Sequence, residues 1–297
     1  MKKSKTIPRD FVNTFSIVGY DPNTKEHGVA VASKFLSVGS LVPYAKAGVG
    51  AVATQSWVNV DYGIRGLQLM ENGLSAEEAL QEVTKGDEKL SSRQVGFVDA
   101  NGRSATFTGE ECFEWAGGIA GENFACQGNI LVDEKTVKAM SETFQTSKGT
   151  LATRLVKALL AGEEAGGDSR GKQSAALLVV KENGGYGGYT DRYIDLRVDD
   201  HQEPVEELQR LLHLHQLYFE RTVPDDIAPI EGELKQQLVD DLRKLAYLKS
   251  DNVTDEELFE AVYSFHLIEN FDERVQEKGY IDQKVVEFIH KFTVRED

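Results

Sequence analysis

The stretch DFVNTFSIVGYDPNTKEHGVAVASKF, residues 10–35, decides how the chain is read. Thr14 and Ser16 alternate with Phe15 and Ile17 at the two-residue period of a half-buried strand, and the DPNT run supplies a turn into a second strand. Strands over Thr14–Tyr20 and Gly28–Phe35 follow, paired as a hairpin. The stretch also poses a choice about Thr14. Thr favours strands, and Thr14 and Ser16 can simply be the polar face of TFSIV. Alternatively, Thr14 is meant to become residue one of a processed chain.

Working outward, alternation predicts strands over Leu41–Lys46 and Val49–Gln55. A helix over Asp61–Glu71 stops at Asn72-Gly73, and a second starts at Ser75, with Glu78 at the capping-box position. Strands over Gln94–Asp99 and Arg103–Thr108 flank a DANG turn. The chain is then Gly-rich up to Gly128, and no strand is read there. Two helices, Asp133–Phe144 and Leu151–Glu163, precede a last hairpin of Ser174–Lys181 and Tyr189–Val198. Hairpins imply antiparallel sheets, and helices arriving in pairs cover one sheet face at a time. Two stacked sheets with helices outside both faces fit this order.

A helix from Pro204 leads to Pro224 and Pro229, where the domain boundary is expected. Leu234, Leu238, Leu242, Leu245 and Leu248 then recur at helical spacing. Thr254 N-caps a second helix, and Ile281–Phe292 forms a third, giving a small all-α unit.

The chain has 297 residues and a net charge of −16. Residues 201–297 hold 23 Asp and Glu against 11 Lys and Arg, so the acidity concentrates at the C-terminal end. Such a balance repels phosphate backbones and argues against nucleic acid as a partner. Cys112 and Cys126 form no CxxC pair, and the six histidines make neither HxxxH nor HExxH. No metal, cofactor or disulfide is expected. His213 and His215 point to different faces of their helix and read as ordinary packing or surface residues. The leader MKKSKTIPRDFVN has no apolar run of secretory or membrane-spanning length, so no membrane partner and a cytoplasmic location are expected.

TFSIVGYD, GVAVASK, GVGAVATQ, RQVGFVD, the QGN-I-L run at 127–131, AGGDSRGKQSAALLVV and LRVDDH stand in this order. On these blocks the chain resembles, from about Thr14 to His201, a family catalogued as domain of unknown function 1028. The resemblance implies an Ntn-hydrolase-like fold: α+β, a four-layer αββα sandwich of two antiparallel sheets over residues 14–223. LKQQLVDDLRKLAYL, AVYSFHLIENFDERV and GYIDQKVVEFI resemble a small module named for peptidoglycan binding, which implies a helical domain over 224–297. Peptidoglycan conflicts with a leader lacking an export signal. The leader carries more weight here, and the unit is read as an acidic appendage that binds some other partner.

Ntn enzymes use an N-terminal Thr, Ser or Cys as nucleophile and its own α-amine as base. The resemblance therefore implies Thr14 as nucleophile, a small-molecule or peptide-like substrate with a non-standard carbon–nitrogen bond, and assembly as a homo-oligomer. Thirteen residues precede Thr14, so a free amine requires their removal, by attack of its hydroxyl on the Asn13 carbonyl. Lys46, on a strand expected beside the first, would depress the amine's pKa, with Lys34 as its rival. Asp168 and Ser174, in AGGDSRGKQSAA, are candidates for holding the amine, and Arg170, which pairs with Asp168, is a candidate for binding substrate. Ser33, Gln55, Asn59, Gln127 and Asn129 offer uncharged hydrogen-bonding groups for a substrate, and Arg93 a partner for its carboxylate. Each has a structural alternative, in a turn, a cap or a surface pair. The competing function is a non-catalytic ligand-binding or scaffold protein that keeps the fold.

Overall fold

The structure, a computed structural model, describes residues 14–250 and 252–294. It divides into two compact units, Met1–Leu212 and His213–Asp297.

In the first unit, β1 (Thr14–Tyr20) and β2 (His27–Ser33) form the hairpin read from the opening stretch. With β7 (Gly117–Gly121), β8 (Phe124–Gly128), β9 (Ser174–Val180) and β10 (Arg192–Val198) they make a six-stranded sheet, ordered β10-β9-β2-β1-β8-β7. A second sheet contains β3 (Pro43–Lys46), β4 (Gly50–Ser56), β5 (Arg93–Asp99) and β6 (Ser104–Thr108) in that order. Every pairing in both sheets is antiparallel.

Three apolar clusters show the layers. Phe15, Ile17 and Leu177 pack with Leu151, Leu155 and Val137 of helices α3 (Lys135–Thr146) and α4 (Leu151–Glu164). Val18, Val29 and Val31 meet Ala51, Ala53 and Val98 between the sheets. Val52, Val95 and Phe97 pack with Tyr62, Met70 and Leu80 of α1 (Val60–Glu71) and α2 (Ala76–Thr84). The result is the αββα sandwich. Odd and even residues of β1 thus serve different layers, as strand alternation requires.

The glycine-rich segment is where the sequence reading falls short, because it contains two paired strands. Glycine lowers strand propensity, but here it makes room: a Cβ on Gly118 would lie 2.7 Å from Thr106 Oγ1. β8 is the neighbour of β1, so the missed strand borders the candidate site.

Helix α5 (Pro204–Phe219) crosses the division between units, upstream of the boundary expected after Val223. Its last turns carry Leu217 and Tyr218, which pack against the second unit's core. There Arg274 donates to Gln216 O at 3.0 Å and to Leu217 O at 2.5 Å. This unit holds α6 (Gly232–Lys244), α7 (Asp255–Ile268) and α8 (Gln283–Val294), and a short antiparallel pair, β11 (Ile227–Pro229) with β12 (Tyr280–Asp282). The pair was not expected; three residues give too short an alternation to register. Among the described residues, no helix is long and apolar enough to cross a membrane.

Candidate active site

Thr14 opens β1 opposite Ser33, and Ser33 stands opposite Ser174. Directly opposed residues in an antiparallel ladder share a face, so these three hydroxyl residues form a row. Asn129 extends it on the other side, just past the end of β8, its N–H donating to Thr14 O at 3.0 Å. Thr14 Oγ1 donates to Ser33 Oγ at 3.3 Å. All four residues are buried.

The row faces amides from the second sheet. Gln55 Nε2 donates to Thr14 O at 3.2 Å and to Gln94 Oε1 at 2.8 Å. Gln55 Oε1 accepts from Ser16 Oγ at 2.6 Å, and Ser16 Oγ accepts from Gln127 Nε2 at 2.7 Å. Gln94 Oε1 also accepts from Asn129 Nδ2 at 2.8 Å, while Gln94 Nε2 donates to Gly128 O at 2.7 Å and Thr108 Oγ1 at 2.9 Å. Gly96 admits this layer: a Cβ there would fall 2.0 Å from Gln127 Oε1. One acceptor is left over. Asn129 Oδ1 is buried and has no hydrogen-bond partner among the described residues. An unpaired buried acceptor costs stability, and a water or any other N–H or O–H donor would satisfy it.

Asp168 and Ser174 fix the backbone that carries Ser33. Asp168 Oδ2 accepts from the Lys34 N–H at 3.1 Å and from Arg170 at 2.6 Å; Oδ1 accepts from Arg170 Nε at 3.1 Å. Ser174 Oγ donates to Phe35 O at 2.5 Å and accepts from Val38 N–H at 3.1 Å. The pair therefore positions Ser33 through its following loop. Lys34 itself points its Nζ at Lys172 O, 3.1 Å away.

Lys46 is a correction. Its strand, β3, lies at the edge of the second sheet and not beside β1. Lys46 pairs with Gly50, at the far end of β4 from Gln55, about 16 Å away at roughly 3.3 Å per residue. It is half exposed and bound to Glu71 at 2.5 Å. The expectation put this strand in the same sheet as β1, whereas it joins the other sheet.

Arg93 is nearly buried and committed to Asp87 at 2.9 Å and Trp57 O at 2.5 Å. Burial pushes the Asp87 carboxyl up, but the bonds from Arg93, Tyr62 and the Lys89 N–H hold it well below the usual range. Asn59 caps α1 by accepting from Asp61 N–H at 3.2 Å. Both residues thus brace one corner of the second sheet. The thiols are weak rivals to Thr14: burial raises the pKa of Cys112 and of Cys126. Among the described residues, no cluster of His, Cys, Asp and Glu is arranged to hold a metal.

Gln94 and Thr108 went unsingled in the sequence, and Ser16 was read only as part of a strand's polar face. Gln94 follows Arg93 at the start of an apolar strand, on the same face as Gly96 and Val98, and an amide at such an inward position was the available signal.

A family model described as a family of unknown function (DUF1028) matches residues 14–208. The chain belongs to this family. A crystal structure of a DUF1028 protein from Silicibacter pomeroyi is similar to it, with a TM-score of 0.62 and 30% identity over 75% of this chain and 88% of that one. Residues 218–289 match a model described as "putative peptidoglycan binding domain". No curated protein matches the chain. The DUF1028 match starts at Thr14, the first residue of β1.

Proposed function

We propose that the DUF1028 unit is an N-terminal-nucleophile hydrolase of a non-standard amide bond, active once Thr14 carries a free α-amine. The observation that carries this reading is the buried row of Thr14, Ser33, Ser174 and Asn129, in which Asn129 Oδ1 has no partner among the described residues. A freed amine brings N–H donors, and that oxygen is an acceptor without one. An α-amine titrates near pH 7.7–8 in its ordinary state, so it is a competent base near neutrality. In the reaction it takes the Thr14 Oγ1 proton as Oγ1 attacks the substrate carbonyl. The proton passes to the departing amine nitrogen, leaving an ester on Thr14. Water, deprotonated by the same amine, then cleaves the ester and restores the hydroxyl. Asp168, Arg170 and Ser174 act by positioning the Ser33 loop.

Residues 1–13, including Asn13, lie outside the described residues. In this reading Thr14 removes them in a separate first step that does not need the amine: Oγ1 attacks the Asn13 carbonyl, its proton passes to the departing Thr14 nitrogen, and water hydrolyses the resulting Asn13 ester, which frees the amine. The competing role, a ligand-binding or scaffold protein, draws on the complete burial of Thr14. Intact mass spectrometry during incubation at neutral pH separates them: loss of residues 1–13, blocked by Thr14→Ala, is expected. A full-length mass alongside undiminished amide hydrolysis overturns the mechanism. A full-length mass and no turnover on amide substrates favours the binding role.

A further inference from the structure

The C-terminal unit contains a pocket of about 200 Å³, formed by α7 and the segment leading into β12. A single water needs roughly 10–15 Å³ of such space, so the pocket is far larger than a hydration site. Ile230 and Val262 supply apolar wall, and Phe259, Tyr263 and Tyr280 supply aromatic wall. Tyr263 and Tyr280 are each 48% exposed, more than packing in a core allows.

Three acceptors stand along this wall, from His266, Glu260 and Glu277, beside the hydroxyls of Tyr263 and Tyr280, the Gln276 amide and the Lys278 ammonium. His266 is buried, and its Nδ1 lies 2.7 Å from Val262 O. A carbonyl oxygen only accepts, so Nδ1 carries the proton and Nε2 carries a lone pair. That Nε2 is buried and has no hydrogen-bond partner among the described residues. Burial lowers the His266 pKa, which keeps the ring neutral near pH 7. Glu260 and Glu277 add two exposed carboxylates. The one cation on the wall, Lys278, is held by both oxygens of Glu256 at 2.5 and 2.6 Å. Aromatic faces, carboxylates and a lone pair all favour a positively charged donor.

We propose that this pocket binds the basic side chain of a peptide ligand, an ammonium on an aliphatic stem. The stem lies against Ile230, Val262 and the aromatic faces, and the ammonium is drawn to Glu260, Glu277 and the His266 edge. This site is independent of the chemistry assigned to Thr14.

The test follows the His266 ring signals of the full-length protein by NMR, assigned through His266→Asn. N-acetyl-lysine methylamide, its norleucine counterpart and N-acetylglucosamine are titrated separately. A saturable shift with the lysine compound, at least tenfold weaker with norleucine, is expected. Glu260→Gln with Glu277→Gln should weaken lysine binding about tenfold, and Tyr263→Ala should weaken both aliphatic probes. All three positions are exposed, so folding should survive. No saturable shift with lysine, equal affinity for norleucine, or a response to the sugar alone overturns the proposal.

Discussion

The two ends of β1 lie in the same inter-sheet layer and carry opposite chemistry. At the Tyr20 end the layer is apolar, with Val18, Val29 and Val98, and the buried polar residues do visible structural work: Asp99 accepts from Arg103 at 2.7 Å and from Ala76 N–H at 3.2 Å, closing a turn and holding a helix start. At the Thr14 end four amides and four hydroxyls are buried, without a charge among them. Uncharged groups cost less to bury than ions, and they can switch partners without moving a proton. The Tyr20 end is apolar apart from His27, whose two ring nitrogens are buried with no hydrogen-bond partner among the described residues. The Thr14 end is polar and uncharged, and its hydrogen-bond donors are of the kind a reacting carbonyl can use.

The strongest way to break this contrast is Gln94→Leu. Gln94 accepts from Gln55 and Asn129 and donates to Gly128 O, so an apolar isostere strands several buried groups together. A loss of about 3–5 kcal/mol is expected in denaturant unfolding. A loss under about 1 kcal/mol would mean water enters this end and the layer is not dry.

The opposite end should dominate the acid response. Burial lowers the His27 pKa from 6.5 to about 4, against smaller opposing pulls from Asp99 and the Lys25 backbone. The unfolded chain then binds a proton below pH 6.5 that the folded chain refuses until about pH 4. Stability is complete above pH 6.5 and falls as pH drops toward 4, by about 3 kcal/mol at roughly 1.4 kcal/mol per pKa unit. Neighbouring Glu26 shifts the other way, its pKa raised by burial, and offsets part of the loss. Urea melts at pH 7, 6, 5 and 4 on wild type and His27→Gln check it: the variant should lose less over this range. Parallel curves would remove His27 as the cause.

Asp168→Asn tests whether the Thr14 end depends on a charge held outside its row. The carboxylate is 2% exposed and bridges Arg170 and the Lys34 N–H. Removing the charge should cost about 1–3 kcal/mol, more than a surface pair, because Arg170 loses a charge-assisted partner while remaining partly solvated. With the amine mechanism, release of residues 1–13 should also slow, because Ser33 is less well placed. A melt unchanged from wild type would show that the turn, and not its charge, holds the loop.

Much of this architecture was legible. The β1–β2 hairpin, the capped helices and the polar face of TFSIV follow from short-range periodicity, and Gln55, Gln127 and Asn129 could be singled out by residue type. Two things were not. β7 and β8 hide because glycines that admit Thr106 and Trp115 erase strand propensity. Which sheet a strand joins depends on contacts far apart in sequence, and this misplaced Lys46 and left Gln94 unnoticed although it ties the layer together.

Lys46→Met gives the smallest effect and the cleanest check on that correction. The ammonium and Glu71 are each about half exposed, at 48% and 47%. Solvent screens such a pair, so its loss should cost about 0–1 kcal/mol, and adding salt should reduce even that. Nothing about the Thr14 end should change, because a lysine about 16 Å along the neighbouring sheet is beyond a Debye length of about 8 Å at physiological salt. The rate at which residues 1–13 are released, followed by intact mass, should equal that of wild type across pH 6–9. A shift of that profile toward higher pH would mean Lys46 does lower the amine's pKa. In that case the strand beside β1 would have to be β3 after all, and the two-sheet arrangement at this end would be wrong.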